Sequence, residues 1–186
     1  MDLINMVAAL PAFGWAFHSS VLTRRLSAAR RDPLTGLHTR AGFTARAERI
    51  VTRAPRAMAF LVDLNDFKAI NDTHGHLAGD AVIAATAERL THWAAGNGIT
   101  ARLGGDEFAA LLPDSTNHPG TAALDHALRQ PVIYRGQVIP VSASVGFCFV
   151  ADLPVRTLTD ALAAADTAMY AAKGHGRRNN TPRPRS

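Results

Sequence analysis

Arg102-Leu103-Gly104-Gly105-Asp106-Glu107-Phe108 joins a backbone that glycine permits to two adjacent carboxylates. The run lies between a strand-like segment, Ile99 to Leu103, and an apolar one, Phe108 to Leu112, so the two glycines fall where a hairpin reverses. Gly104 and Gly105 can take positive φ without steric cost and let another molecule approach the backbone. Asp106 and Glu107 then stand at the hairpin tip, where hard oxygen ligands can hold Mg²⁺ with most of its waters retained. Acidic residues beside glycine are also the ordinary composition of a solvated turn, so the reading depends on its surroundings.

Upstream, Ala57 to Asp63 (Ala-Met-Ala-Phe-Leu-Val-Asp) is an apolar run of strand length ending on a carboxylate, a common place for a ligand at the edge of a sheet. Its continuation from Leu64 to Asp80 is dense in Asp, Asn, His and Lys68 where an ordinary connection would be short. A strand that ends in Asp63 and turns into such a segment offers a cation ligand and free backbone N–H groups for a polyphosphate. The plainer alternative is a connection whose Asp and Asn side chains cap helices.

Five ordered blocks carry a resemblance to a known family. They are Asp32-Pro33-Leu34-Thr35-Gly36-Leu37, the Asp63 to Asp80 segment, the Arg102 to Phe108 hairpin, Ser142-Ala143-Ser144-Val145-Gly146, and Ala165 to Lys173. Together the chain resembles the GGDEF family of diguanylate cyclases. The resemblance implies a single α/β domain with a central, mostly antiparallel sheet flanked by helices, related to the palm of nucleotide cyclases and polymerases. It also implies condensation of two GTP molecules into cyclic di-GMP and two pyrophosphates, with Mg²⁺ or Mn²⁺, across a homodimer in which each subunit presents half of the site.

Residue by residue, the resemblance places metal at Asp63, the Leu64 carbonyl, Asp106 and Glu107, and catalysis at Asp106 and Glu107, one of which helps deprotonate the 3′-hydroxyl. It places guanine recognition at Asn71 and Asp80, an amide and a carboxylate suited to the donors of that base. Phosphates would meet Lys68, Lys173, Arg177, the backbone N–H groups of Asp66, Phe67 and Lys68, and the Gly104-Gly105 backbone. Two departures stand out. The product-binding Arg-x-x-Asp that many members carry before the Gly-Gly turn is replaced by Ala95-Gly96-Asn97-Gly98, so no inhibitory site is expected there. After Arg177 come Arg178-Asn179-Asn180 and a tail with two prolines, which shortens or removes a last edge strand.

Composition agrees with one such domain. The 186 residues are 47% hydrophobic, enough to bury one sizeable core. The formal charge of +5 is concentrated at the ends, with arginines at 24, 25, 30 and 31 and again at 177, 178, 183 and 185. A nucleic-acid module would interleave aromatics with basic residues, and aromatics are only 6% of this chain. The single cysteine, Cys148, excludes an intrachain disulfide and reads as core. His74 and His76 have no further cluster that would make a zinc site.

The pattern predicts a helix over Ala41 to Arg53, a strand over Ala57 to Asp63, a helix over Asp80 to Ala95 and the two hairpin strands. Beyond these it predicts a helix over Thr121 to Arg129, a strand at Val132–Tyr134, a second over Val138 to Val150, and a closing helix over Leu158 to Lys173. Residues 32–178 make the catalytic domain, 1–31 an apolar helix with a basic linker, and 179–186 a disordered tail. Leu3 to Thr23 carries no formal charge, and its 21 residues span about 30 Å as a helix, the thickness of a bilayer core. Asn5, Pro11, Gly14 and His18 leave two readings open: an anchor on the inner membrane with the domain cytoplasmic, or a dimerisation helix. Two further functions stay in play, a silent nucleotide-binding module and a membrane-tethered scaffold.

Overall fold

The computed structural model describes residues 30–116 and 120–178, the last five as helical backbone. The expected apolar helix at 3–23 and the tail at 179–186 lie outside the described residues. Among the described residues no helix is long and apolar enough to cross a membrane.

The elements run β1 (His38–Thr39), α1 (Arg40–Arg53), β2 (Met58–Leu64), α2 (Phe67–His74), α3 (His76–Ala94), β3 (Ile99–Gly104) and β4 (Glu107–Leu112). They continue with α4 (Thr121–Leu128), β5 (Val132–Tyr134), β6 (Gln137–Ile139), β7 (Ala143–Phe149), a 3₁₀ turn at Val150–Asp152 and α5 (Leu158–Arg178). Five strands form one sheet in the order β1-β3-β4-β2-β7, and β5-β6 is a separate hairpin. Among the described residues only β1 and β3 pair in parallel; β3 with β4, β4 with β2 and β2 with β7 are antiparallel. A mostly antiparallel sheet flanked by helices is therefore what the chain adopts.

The alternation of β2 decides its two faces. Met58, Phe60, Val62 and Leu64 join Phe108, Ala110 and Leu112 of β4 under Val82, Ile83, Leu90 and Trp93 of α3 and Leu124 of α4. Phe60 meets Trp93 edge to face, ring centres 4.8 Å apart. On the other face Ala57, Ala59, Ala101, Ala109 and Leu111 pack against Phe43, Ala47 and Val51 of α1 and Leu158 and Ala161 of α5. The strands contribute Ala59, Ala101 and Ala109 to this face, and α5 lies directly on β7: a Cβ at Gly146 would overlap the Ala165 carbonyl and the Met169 amide.

Two expectations are corrected. The strand expected over Val138 to Val150 is two strands in two sheets, because Pro140 has no N–H to give a ladder. The polar segment after Asp63 contains the whole of α2, and α3 begins at His76, a turn before the expected start at Asp80. No residue of α2 is fully buried; its apolar residues Phe67 and Ile70, one turn apart, pack on the rim of the core, too few in eight residues to stand out from the polar segment around them.

Candidate functional site

Asp63 is the last odd-numbered residue of β2 and so belongs to the alanine face. In the antiparallel register it pairs with Glu107, the first residue of β4, and with Ser144 of β7. Directly opposed residues share a face at about 5 Å between Cβ atoms, which brings the Asp63 and Glu107 carboxylates together at one end of the sheet. The same end receives the start of α1 and the last turns of α5.

Among the described residues each carboxylate meets one cation. The Lys173 Nζ donates to Asp63 Oδ1 at 2.5 Å, with side chains 36% and 24% exposed. Arg40, the first residue of α1, reaches Glu107 Oε2 at 3.5 Å, with side chains 61% and 55% exposed. The first pair is sheltered and short; the second is a solvated surface contact of small energy.

The hairpin tip is tied down from two sides. Gly105 sits at φ 51° and the ladder shifts register between Arg102 and Gly104, so the turn needs the freedom of glycine. Arg102 Nε donates to the Gly105 carbonyl at 2.9 Å, while its Nη1 contacts the Asp32 carboxylate at 3.4 Å. Burial pushes the Asp32 carboxyl up, but hydrogen bonds from the Thr35 hydroxyl and amide, at 2.7 and 2.9 Å, and the Arg102 charge outweigh it and hold it below its ordinary value. The Leu64 amide donates to the Asp106 carbonyl at 3.3 Å and fastens the tip to the end of β2.

Next to Asp63 the chain turns through Asn65 and Asp66. Asn65 is clamped by its amide on the Ser142 carbonyl at 2.9 Å and by the Ser144 hydroxyl on its Oδ1 at 2.7 Å. Asp66 takes a left-handed φ of 53° and opens α2, whose first turn carries Phe67 and Lys68 with amides that have no intrahelical carbonyl to meet. Asp63, Leu64, Asn65, Asp66, Ser144 and Lys173 line a cleft of about 850 Å³, within the range that takes a small ligand. Across α2, the half-buried Asn71 side chain lies over Gly79, where any Cβ would collide with it, and exposed Asp80 follows on α3.

The expected residues do not all fall in one place. Asp63, Leu64, Asp66 and Lys173 share one cleft. Asp106 and Glu107 stand beside it at the hairpin, Glu107 as the cross-strand neighbour of Asp63 and Asp106 through its carbonyl on the Leu64 amide. Asn71 and Asp80 stand apart at the α2–α3 angle, and Lys68 is exposed at the start of α2. Arg177 belongs to the last turn of α5.

The donor set suits a hard divalent cation of the Mg²⁺ type. Such an ion takes one or two carboxylates and completes its shell with water and phosphate oxygens. Asp63 and Glu107 are two such carboxylates, and among the described residues no three acidic, histidine or cysteine side chains gather into a full protein cage.

Sequence reasoning missed Arg40, the Asp32–Arg102 bridge and the Asn65 clamp. The spacing of Asp32 and Thr35 is a turn-capping signal visible in sequence. The partners of Arg40 and Arg102 lie 67 and 70 residues away, and nothing local marks them.

Comparison with known proteins now bears on the site. The family described as diguanylate cyclase, GGDEF domain, matches residues 29–179. An uncharacterized 19.3 kDa protein in the repSA 5′ region of Streptomyces ambofaciens is 59% identical over 98% of this chain and 99% of its own length. The diguanylate cyclase DgcP of Pseudomonas aeruginosa is 33% identical over 94% of this chain, which spans only 27% of that protein. The crystal structure of a sensory box/GGDEF family protein from Caulobacter crescentus superposes with a TM-score of 0.71 at 36% identity, covering 79% of this chain and 99% of that one.

Proposed function

Because the chain belongs to the GGDEF family of diguanylate cyclases, which are nucleotidyltransferases, we propose that it condenses two GTP molecules into cyclic di-GMP. Each 3′-hydroxyl attacks the α-phosphate of the other nucleotide, forming two phosphodiester bonds and expelling two pyrophosphates. The observation that carries this reading is the pairing of Asp63 with Glu107 on the face where Lys173 arrives.

Asp63, the Leu64 carbonyl and the Asp106–Glu107 pair would hold Mg²⁺ or Mn²⁺. The bound cation supplies charge neutralisation and polarisation at the phosphates. The rest of the work falls to the chain. Lys68, Lys173 and Arg177 offset phosphate charge, with the amides of Asp66, Phe67 and Lys68 as a cradle at the start of α2. Asn71 and Asp80 select guanine by accepting from and donating to its Watson–Crick edge. A carboxylate of the Asp106–Glu107 pair takes the 3′-hydroxyl proton, and the register with Asp63 favours Glu107. Both halves meet in a homodimer, since one subunit presents one GTP. Residues 95–98 lack the groups for product feedback, so cyclic di-GMP does not inhibit through them.

The test is the full chain with GTP and Mg²⁺. Cyclic di-GMP and pyrophosphate in a one-to-two ratio, lost in Glu107→Gln, are expected. GTP binding without turnover would overturn the reading in favour of a silent nucleotide-binding module.

A further inference from the structure

The Asp63 carboxylate already has one oxygen engaged by a cation of the chain itself. Its Oδ1 accepts from the Lys173 ammonium at 2.5 Å, and this pair is the more sheltered of the two at the site. Lys173 is held there by the close seat of α5 on β7 at Gly146, so its reach to Asp63 is a property of the fold. Ser144, the β7 partner of Asp63, is itself committed to Asn65 at 2.7 Å and adds its hydroxyl to that residue.

We propose that Lys173 acts as an internal counter-cation for Asp63, and that this makes metal and nucleotide load together. A divalent ion arriving alone must either displace the ammonium from Oδ1 or bind beside it, and in both cases a cation is left next to a dication in a partly shielded cleft where their repulsion is stronger than in water. A triphosphate arriving with its metal gives the ammonium a new partner within the reach of the same side chain. Lys173 swings from carboxylate to phosphate, Asp63 is released to the metal, and neither charge is left unpaired. The positive coupling is reciprocal: metal raises nucleotide affinity by the factor by which nucleotide raises metal affinity. The Arg40–Glu107 contact, longer and more than half exposed, contributes far less to this barrier. The inference rests on the proposed function and goes further, assigning Lys173 a role before any nucleotide is present.

Mn²⁺ binding to the full chain, followed by water-proton relaxation without nucleotide, tests it. Lys173→Met is expected to bind Mn²⁺ at least about tenfold more tightly than the parent, with Lys173→Gln moving in the same direction and both keeping the parent's thermal unfolding profile. Arg129→Met removes a charge from the wall of the same cleft without touching Asp63 and should stay within about twofold of the parent. A non-hydrolysable GTP analogue should tighten Mn²⁺ binding in the parent and do so less in Lys173→Met. Unchanged or weaker Mn²⁺ binding in Lys173→Met overturns the proposal, as does an equal gain in Arg129→Met. Asp63→Asn separates the two levels of argument: Mn²⁺ binding that survives it overturns the metal assignment itself, whereas binding that depends on Asp63 but ignores Lys173 overturns only the counter-cation role.

Discussion

The two faces of the sheet are built from different materials. One buries Phe60, Phe108, Leu112 and Trp93 beneath α3 and α4; the other sets Ala57, Ala59, Ala101 and Ala109, with Leu111, among the described residues the one large strand residue fully buried there, beneath α1 and α5. Bulky residues supply most of the burial energy, about 1.5–3 kcal/mol for each large side chain. Small residues instead let helix backbones approach, which places the first residue of α1 and the last turns of α5 within reach of carboxylates at the strand ends. The candidate metal ligands Asp63 and Glu107, with their partners Lys173 and Arg40, belong to the alanine face. Stability and chemistry are thus divided between the two sides of the same strands, residue by alternate residue.

The largest effects come from cutting one face at a time. Asp63→Asn on the alanine face should lower cyclic di-GMP synthesis on the order of a thousandfold, about 4 kcal/mol in barrier, with little change in thermal unfolding. Phe60→Ala on the aromatic face should cost about 3–5 kcal/mol of stability by denaturant titration while the activity of the folded fraction persists. If Phe60→Ala abolished turnover in molecules that remain folded, the division between faces would fail.

Gly146→Ala probes the alanine face itself. The added methyl meets the backbone of α5 rather than a side chain that could turn aside. An overpacking cost of about 1–3 kcal/mol is expected, together with a roughly tenfold fall in activity as Lys173 is carried away from Asp63. A destabilised variant with full activity would show that the seat of α5 does not position Lys173. Smaller again is Arg102→Ala, which frees the Gly105 carbonyl and the Asp32 carboxylate. About 1 kcal/mol of stability should go, with a few-fold loss of turnover from a looser hairpin.

Much of this was legible before any coordinates. The apolar run ending at Asp63, the glycine hairpin and the helix end before Gly96 follow from local periodicity and turn chemistry and lie close to expectation, whereas the closing helix, expected to end at Lys173, continues to Arg178. What escaped had physical reasons. Helix α2 is only eight residues long and rests just Phe67 and Ile70 on the rim of the core, a pair too short to set a period among the polar residues around it. The split at Pro140 hid inside an apolar stretch that continues on both sides of it. Arg40 and Arg102 find their partners only after the sheet has formed, so no spacing announces them. The division into an aromatic and an alanine face was written in the alternation of β2, yet which face would carry the chemistry required knowing that Asp63 and Glu107 stand opposite one another.

The smallest expected effect concerns His38, buried on the alanine face, where β1 pairs it with Ala101. Burial, then the Arg31 and Arg46 guanidiniums, push its imidazole below the ordinary value, more than the Arg30 backbone carbonyl raises it. Arg46 on α1 stands 3.4 Å from its Nε2, a position suited to donating to a neutral ring. The folded state therefore binds this proton less readily than the unfolded chain does, so acid favours unfolding. The contribution is fully present above the unfolded value of about 6.5 and is lost as pH falls below it toward the lower folded value. Asp32, held low by Thr35 and Arg102, loses its own contribution only at more acidic pH, as it falls through the carboxylate range. Unfolding free energy measured between pH 7.5 and 5 should decline more steeply in the parent than in His38→Gln, which removes the titration while keeping a polar side chain. Parallel profiles would mean that the imidazole accepts its proton without disturbing the layer under α1, and that this face tolerates a buried charge its apolar side chains do nothing to solvate.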